Sequence, residues 1–230
     1  MGIAYNTNVV RNGLVLYLDA ANKKSYPGTG TVWYDLSGNG KNSTLTNSPT
    51  FDGQNIVFDG INNYCVLPDQ AIPIQNTSYT LEAWIKRSVL NAEHGIIGDL
   101  QYDWQSFYVN SANKLVSTHR RLSDNLQNSI TSVSSISINW THVAVVFDIT
   151  SGKKLYINGV LDNTSSSTVE FQYISANRGP KYFGMTNPNS FNVSSRFFNG
   201  NISAFKGYIR SLSANEIQQN FNAMRGRYNV

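Results

Sequence analysis

Two short stretches of the chain gather residues able to do chemistry. The first is Asp35-Leu-Ser-Gly-Asn-Gly. Gly38 and Gly40 permit positive φ, so the chain can fold back on itself there. A carboxylate, a hydroxyl, an amide and several carbonyls are thereby brought together, an oxygen set suited to calcium. Asp35, Ser37 and Asn39 are the candidate metal ligands; the other reading is an Asx-type turn closed by Asp35 and Asn39. The second stretch is Asp99-Leu-Gln-Tyr-Asp-Trp-Gln-Ser-Phe. Tyr102 and Trp104 straddle Asp103, with Gln101 and Gln105 beside them. Aromatic faces stack on the C–H face of a sugar ring, while carboxylates and amides bond its hydroxyls. Tyr102, Asp103, Trp104 and Gln105 are the candidate ligand-binding residues; a loop folded inward as a plug is the alternative.

Catalytic arrangements are harder to find. A glycanase needs two carboxylates close together, one of them an acid/base. The chain's glutamates are Glu82, Glu93, Glu170 and Glu216, and none has a second acid two residues away. No Gly-x-Ser-x-Gly elbow and no phosphate-binding loop occur. The expectation is a protein that is not an enzyme. His94, His119 and His142 lack metal-ligand spacing. His142 lies inside an apolar run and reads as a core histidine bonded to a carbonyl, whereas His119, beside Arg120-Arg121, reads as solvated. Cys65 is the single cysteine, so no intrachain disulfide forms. The formal net charge is only +4 and the basic pairs are dispersed, which argues against a nucleic-acid surface. No apolar stretch approaches the roughly 20 residues of a membrane helix, and the first residues lack a signal-peptide core.

These residues must be positioned by strands. Charged residues make up 14% of the chain, too few to coat long solvent-exposed helices. Runs of β-branched and aromatic residues recur between turn clusters, at 13–21, 55–67, 78–88, 95–99, 106–109, 114–120, 135–148, 153–160, 181–186 and 197–208. Asn158-Gly159 marks a tight hairpin of the type I′ kind. The Asn/Ser/Gly-rich stretch 28–49 reads as a long ordered loop. Near the end, Ser213-Ala-Asn-Glu216 is a capping box, followed by Ile217, Phe221 and Met224 at helical spacing, which predicts one helix over 214–224. The expected fold is all-β: a two-sheet antiparallel jelly-roll sandwich with one short C-terminal helix. A single domain over 13–228 is expected, preceded by an arm at 1–12; that arm and 225–230 are candidate docking segments.

The motifs also form an ordered series. It runs through Gly13-Leu-Val-Leu-Tyr-Leu-Asp-Ala-Ala, Trp33-Tyr-Asp-Leu-Ser-Gly-Asn-Gly, Ile56-Val-Phe-Asp-Gly and Tyr79-Thr-Leu-Glu-Ala-Trp-Ile-Lys. It continues with Trp140-Thr-His-Val-Ala-Val-Val-Phe-Asp and Lys154-Leu-Tyr-Ile-Asn-Gly, and closes with Gly200-Asn-Ile-Ser-Ala-Phe-Lys-Gly-Tyr-Ile-Arg-Ser-Leu-Ser-Ala-Asn-Glu-Ile. This series resembles the laminin-G-like, concanavalin A-like lectin/glucanase jelly rolls, and particularly those in structural proteins of tailed marine phages. The resemblance implies a non-enzymatic virion structural or decoration protein, made in the host cytoplasm. Its implied partners are other virion proteins, copies of itself and host-surface glycan. The alternative is a calcium-assisted carbohydrate-binding adhesion module without a virion role. In relatives, the resemblance implies, the Asp35-type loop holds Ca2+ with a second carboxylate from the strand before the helix. Here Ser203 and Ala204 stand where an acidic pair is common, which lowers the charge of any such site.

Overall fold

The computed structural model describes residues 8–73, 75–99, 105–121, 123–172, 181–186 and 196–230. Its first elements are β1 (Leu14–Asp19), β2 (Val32–Trp33), β3 (Ser43–Thr46), β4 (Thr50–Phe51), β5 (Ile56–Asp59) and β6 (Tyr64–Val66). There follow β7 (Tyr79–Arg87), β8 (His94–Asp99), β9 (Gln105–Val109), β10 (Lys114–Arg121), β11 (Leu126–Ser135) and β12 (Thr141–Asp148). The remainder are β13 (Gly152–Ile157), β14 (Val160–Ser165), β15 (Lys181–Phe183), β16 (Met185–Thr186), β17 (Arg196–Phe197), β18 (Asn199–Tyr208) and helix α1 (Ala214–Arg225).

The strands form two large antiparallel sheets. One has the order β14-β13-β12-β7-β18-β5-β4, with β1 also paired to β18; the other runs β11-β10-β9-β8-β15-β6-β3-β2. Their facing sides enclose one apolar core that includes Leu16, Trp33, Ile85, Phe107, Val145, Phe183 and Phe205. The fold is the expected two-sheet sandwich. Helix α1 also matches: Ser213 caps it, accepting from the Glu216 amide, and the Glu216 side chain accepts from the Ser213 amide in return. The turn between β13 and β14 has positive φ at Asn158 (50°) and Gly159 (77°), as a type I′ hairpin requires. The short β16–β17 hairpin lies so close to β8 that a Cβ on Gly95 would run into the backbone of Thr186 and Arg196.

Three features depart from the sequence reading. Strands β2 and β3 lie within the stretch expected to be a long loop. Strand β11 was not expected; 135–148 read as one strand, but the chain turns between Ser135 and Thr141. The inward side chains of β11 are Asn128, Ile130 and Ser132, so its alternation is mostly polar and carries little apolar signal. The histidines depart in part: His119 is not solvated, and His142 is in the core as expected but without the expected carbonyl bond among the described residues. His119 is fully buried between the sheets, where its Nε2–H donates to the Val169 carbonyl (2.6 Å) and its Nδ1 accepts from the Tyr79 hydroxyl (2.8 Å). His142 is buried too, on the other side of its sheet, but neither ring nitrogen has a hydrogen-bond partner among the described residues.

At one rim the edge strands of the two sheets meet. The Asp162 carboxylate on β14 accepts from the amides of Val133 (2.6 Å) and Ser134 (3.0 Å) on β11. The Asn163 amide donates to the Thr131 carbonyl at 2.8 Å.

Burial pushes the pKa of His94 down to about 4, aided by the Arg87 charge, and that of His119 down to about 2, aided by Lys153. Both rings are thus neutral in the folded state where the unfolded chain already takes up a proton. Their contribution is complete above the ordinary histidine value near 6.5 and is lost as pH falls below it. The urea midpoint is expected to fall steadily from pH 6.5 to pH 4. A midpoint constant over that window would contradict the buried, neutral placement.

Candidate functional site

Strand alternation puts every second residue of the first sheet on the face turned away from the core. The register aligns Tyr17 of β1 with Lys206 of β18, Lys206 with Glu82 of β7, Glu82 with Ala144 of β12, and Ala144 with Tyr156 of β13. One row along, Asp19 stands beside Ala204, Ala204 beside Trp84 and Trp84 beside His142. Helix α1 lies over these rows. Phe221 stacks on Trp84 at 5.6 Å between ring centroids, and Tyr228 stacks on it at 4.1 Å. The segment after the helix is therefore packed against the sheet.

Beneath the helix sits a buried polar cluster. Lys206 Nζ lies 3.3 Å from Glu82, and both side chains are essentially without solvent exposure. Asn220 of α1 donates to both Glu82 oxygens (3.1 and 3.0 Å) and to the Tyr208 hydroxyl (3.0 Å), while its own oxygen accepts from the Val10 amide (2.7 Å). Burial is the strongest single influence on Glu82 and disfavours its charged form, but Lys206 and the other polar neighbours together outweigh it and hold the carboxyl below its usual range. His142 Nε2, 3.8 Å from Glu82, is too far to bond, and burial keeps its ring neutral.

At the open end of the same face lies a pocket of about 520 Å³. That volume falls within the roughly 300–1,000 Å³ of small-molecule sites. Its wall joins the segment before β1, β1 itself, the turn after it, the Asp35 loop and the end of α1. Val9, Leu36 and Met224 give it an apolar side, and Asn8 and Asn22 give it amides. Tyr17 contributes an aromatic ring that is largely buried, with the Arg11 guanidinium 5.7 Å from its centroid and the Lys206 ammonium at the same distance. The Tyr17 hydroxyl donates to Asp19 (3.1 Å), and burial raises its pKa, so it stays protonated. Asp19 in turn is held by Arg227 through two contacts, 2.6 and 3.2 Å.

The sequence-predicted residues fall unevenly around this site. Asp35, Ser37 and Asn39 are brought together, but as a hydrogen-bonded turn. Asp35 Oδ1 accepts from the amides of Tyr17 (2.9 Å) and Ser37 (2.8 Å); Oδ2 accepts from the Ser37 hydroxyl (2.7 Å) and the Lys41 amide (3.1 Å). The Asn39 amide donates to the Val15 carbonyl at 3.2 Å. Donors already occupy the oxygens that a calcium ion would need, and the set does not fit that ion. Among the described residues no three His, Cys, Asp or Glu side chains cluster as metal ligands. Instead the loop sets the pocket wall: Leu36 donates its amide to Tyr17 (2.7 Å), and its carbonyl accepts from Arg11 (3.1 Å). Tyr102, Asp103 and Trp104 lie outside the described residues. Gln105 opens β9, is buried, and accepts from Lys181 Nζ at 2.7 Å, so its side chain does not face solvent. The pocket itself was missed in the sequence. The cue it offered was Tyr17 and Asp19 alternating with inward leucines in β1.

The family model described as the concanavalin A-like lectin/glucanases superfamily (Laminin_G_3) matches residues 58–218, more than half of the chain. The chain belongs to this superfamily. No curated protein matches it at a significant level. Solved structures with the concanavalin A-like fold align over nearly the whole chain. The binding domain of Paraclostridial Mosquitocidal Protein 1 is 17% identical with a TM-score of 0.67, over 93% of this chain and 52% of that one. Botulinum neurotoxin type C, which depends on two ganglioside molecules to get into cells, is 20% identical with a TM-score of 0.65, over 94% and 52%. A Trypanosoma rangeli sialidase is 15% identical with a TM-score of 0.66, over 94% and 34%. The chain thus spans about half of each toxin chain and about a third of the sialidase. At these identities the likeness establishes a lectin-like jelly roll.

Removing one partner of a buried ion pair leaves a charge stranded, at a cost of about 3–5 kcal/mol. Lys206→Met is expected to destabilise the domain by about that much in urea unfolding, and the double variant Glu82→Leu/Lys206→Met to recover most of the loss. Equal destabilisation by both variants would show that the two charges do not act as a pair.

Proposed function

We propose that the chain is a non-enzymatic attachment module that holds a glycan in the pocket beside Tyr17. The observation that carries this reading is the pocket's make-up: the largely buried Tyr17 ring, an apolar side and amides, next to the part of the face that α1 covers. A sugar offers the matching surfaces, a C–H face and a fringe of hydroxyls. The other support is where the acids go. Glu82 is buried with Lys206, Glu93 binds Arg196, Glu170 binds Arg121, and Glu216 binds Arg210 and caps α1. Each glutamate is spoken for, and among the described residues no carboxylate lines the pocket, so two acids do not flank a glycosidic bond there. No helix among the described residues is long and apolar enough to cross a membrane.

We place this module on a tailed-phage particle, in contact with other virion proteins or copies of itself, and facing host-surface glycan. The ordered motif series across 13–228 supports that setting. The Asp35 loop acts in this reading as a clasp that shapes the pocket, without calcium.

A glycan array probed with and without chelator tests the reading. Binding is expected in both conditions, with no release of reducing ends from the bound polysaccharide. Asp35→Ala is expected to lower stability by about 1–3 kcal/mol, equally with and without chelator. Chelator-sensitive binding or melting would reinstate calcium. Turnover of a polysaccharide by the pure protein would overturn the non-enzymatic assignment.

A further inference from the structure

Resting on the glycan reading, we propose that the pocket beside Tyr17 selects an acidic sugar, with the sugar carboxylate held by Arg11 and Lys24. Among the described residues three cations line the pocket, Arg11, Lys24 and Arg227, and no acid does. Arg227 is compensated, because Asp19 meets its guanidinium at 2.6 and 3.2 Å. Among the described residues neither Arg11 nor Lys24 has a carboxylate partner. Arg11 gives one N–H to the Leu36 carbonyl at 3.1 Å, which fixes the side chain while leaving most of its five donors for a ligand. Lys24 is placed by its turn, where its backbone amide donates to Asn22 at 3.0 Å and its side chain remains exposed.

Two cations without a carboxylate partner, one of them over the largely buried Tyr17 ring, discriminate among ligands. A neutral pyranose would leave both cations hydrated and gain nothing from them. A carboxylate on the ring would collect charge-assisted hydrogen bonds, about twice as strong as neutral ones. A bare anion would satisfy the cations but leave Val9, Leu36 and Met224 uncovered. A polyanion such as nucleic acid asks for cations in a row along its backbone, and the basic pairs of this chain are dispersed. A ring with one apolar face and one carboxylate uses every part of the wall.

The test compares glucuronic acid with glucose, which differ only at the carboxylate, by titration calorimetry, alongside an array of acidic and neutral glycans. Acidic glycans are expected to bind at least about tenfold more tightly than their neutral counterparts. Lys24→Gln is expected to lose that margin with the melting temperature unchanged, because the side chain is exposed. Arg11→Gln is expected to do the same, with the melt recorded as a control for its bond to Leu36. High salt should narrow the margin. Equal binding of neutral and acidic glycans would overturn the acidic selection and leave the glycan reading standing. Binding of inorganic phosphate without any glycan, or of no glycan at all, would overturn both. An acidic preference that survives Lys24→Gln and Arg11→Gln would place the carboxylate elsewhere and overturn the assignment.

Discussion

Glu82 and Lys206 are opposite charges taken out of water on the outer face of a β-sheet, and each is tolerable only because the other is there. Their pairing follows from register: slipping β18 by one residue against β7 would turn Lys206 into the apolar core and leave Glu82 alone under the helix. The same register brings Tyr17 beside Lys206 and Ala204 beside both Asp19 and Trp84. Helix α1 is fitted to what results. Asn220 satisfies the Glu82 oxygens that Lys206 does not, and Phe221 covers the indole one row along. Asn220 also fastens the segment before β1 through Val10. One charge pair thus fixes the sheet, the helix and the chain start relative to one another, and the pocket is the space left where they meet.

The division of labour across the sheet is clear in these terms. The inward face carries the apolar core, with a few buried polar groups such as Tyr79 and Lys153 bonded to the opposite sheet. The outward face is covered by α1 around Glu82 and Trp84, and the pocket lies beside that cover at Tyr17. Recognition in a lectin-like jelly roll of this kind depends on what the ends and loops add to the sandwich. Here the additions are the turn holding Lys24, the clasp around Asp35 and the residues on either side of α1.

The architecture was legible because strand and helix signals are local. Alternating or continuous β-branched and aromatic runs mark β7, β12, β13 and β18, and a four-residue capping box marks the start of α1. Strand β11 was not legible because its inward side chains Asn128 and Ser132 find polar partners instead of apolar cover: Asn128 donates to the carbonyls of Ser167 and Val169, beyond β14, and Ser132 to that of Ser134 in its own strand. The histidines show the same difficulty. His119 sits beside two arginines in sequence yet points inward, and only the tertiary fold supplies its tyrosine and carbonyl partners. The compact Asp35 turn could be read from its glycines and its polar residues. What could not be read is that Tyr17 and Lys41, from outside the hexapeptide, donate their amides to the same carboxylate. The pocket was invisible for a related reason. Its wall combines positions 8–11, 17, 22–24, 36 and 223–227, which no motif spans.

The bridge from Asp162 and Asn163 across the rim has a consequence for how copies of the chain can assemble. An edge strand normally offers its free amides and carbonyls to any passing strand, and so invites edge-to-edge polymerisation. On β11 the amides of Val133 and Ser134 and the carbonyl of Thr131 are already taken by side chains from the opposite sheet. Along that border a second copy finds no ladder to extend. Lateral association there must rely on side-chain complementarity, which can be specific and reversible, whereas backbone pairing would propagate without limit.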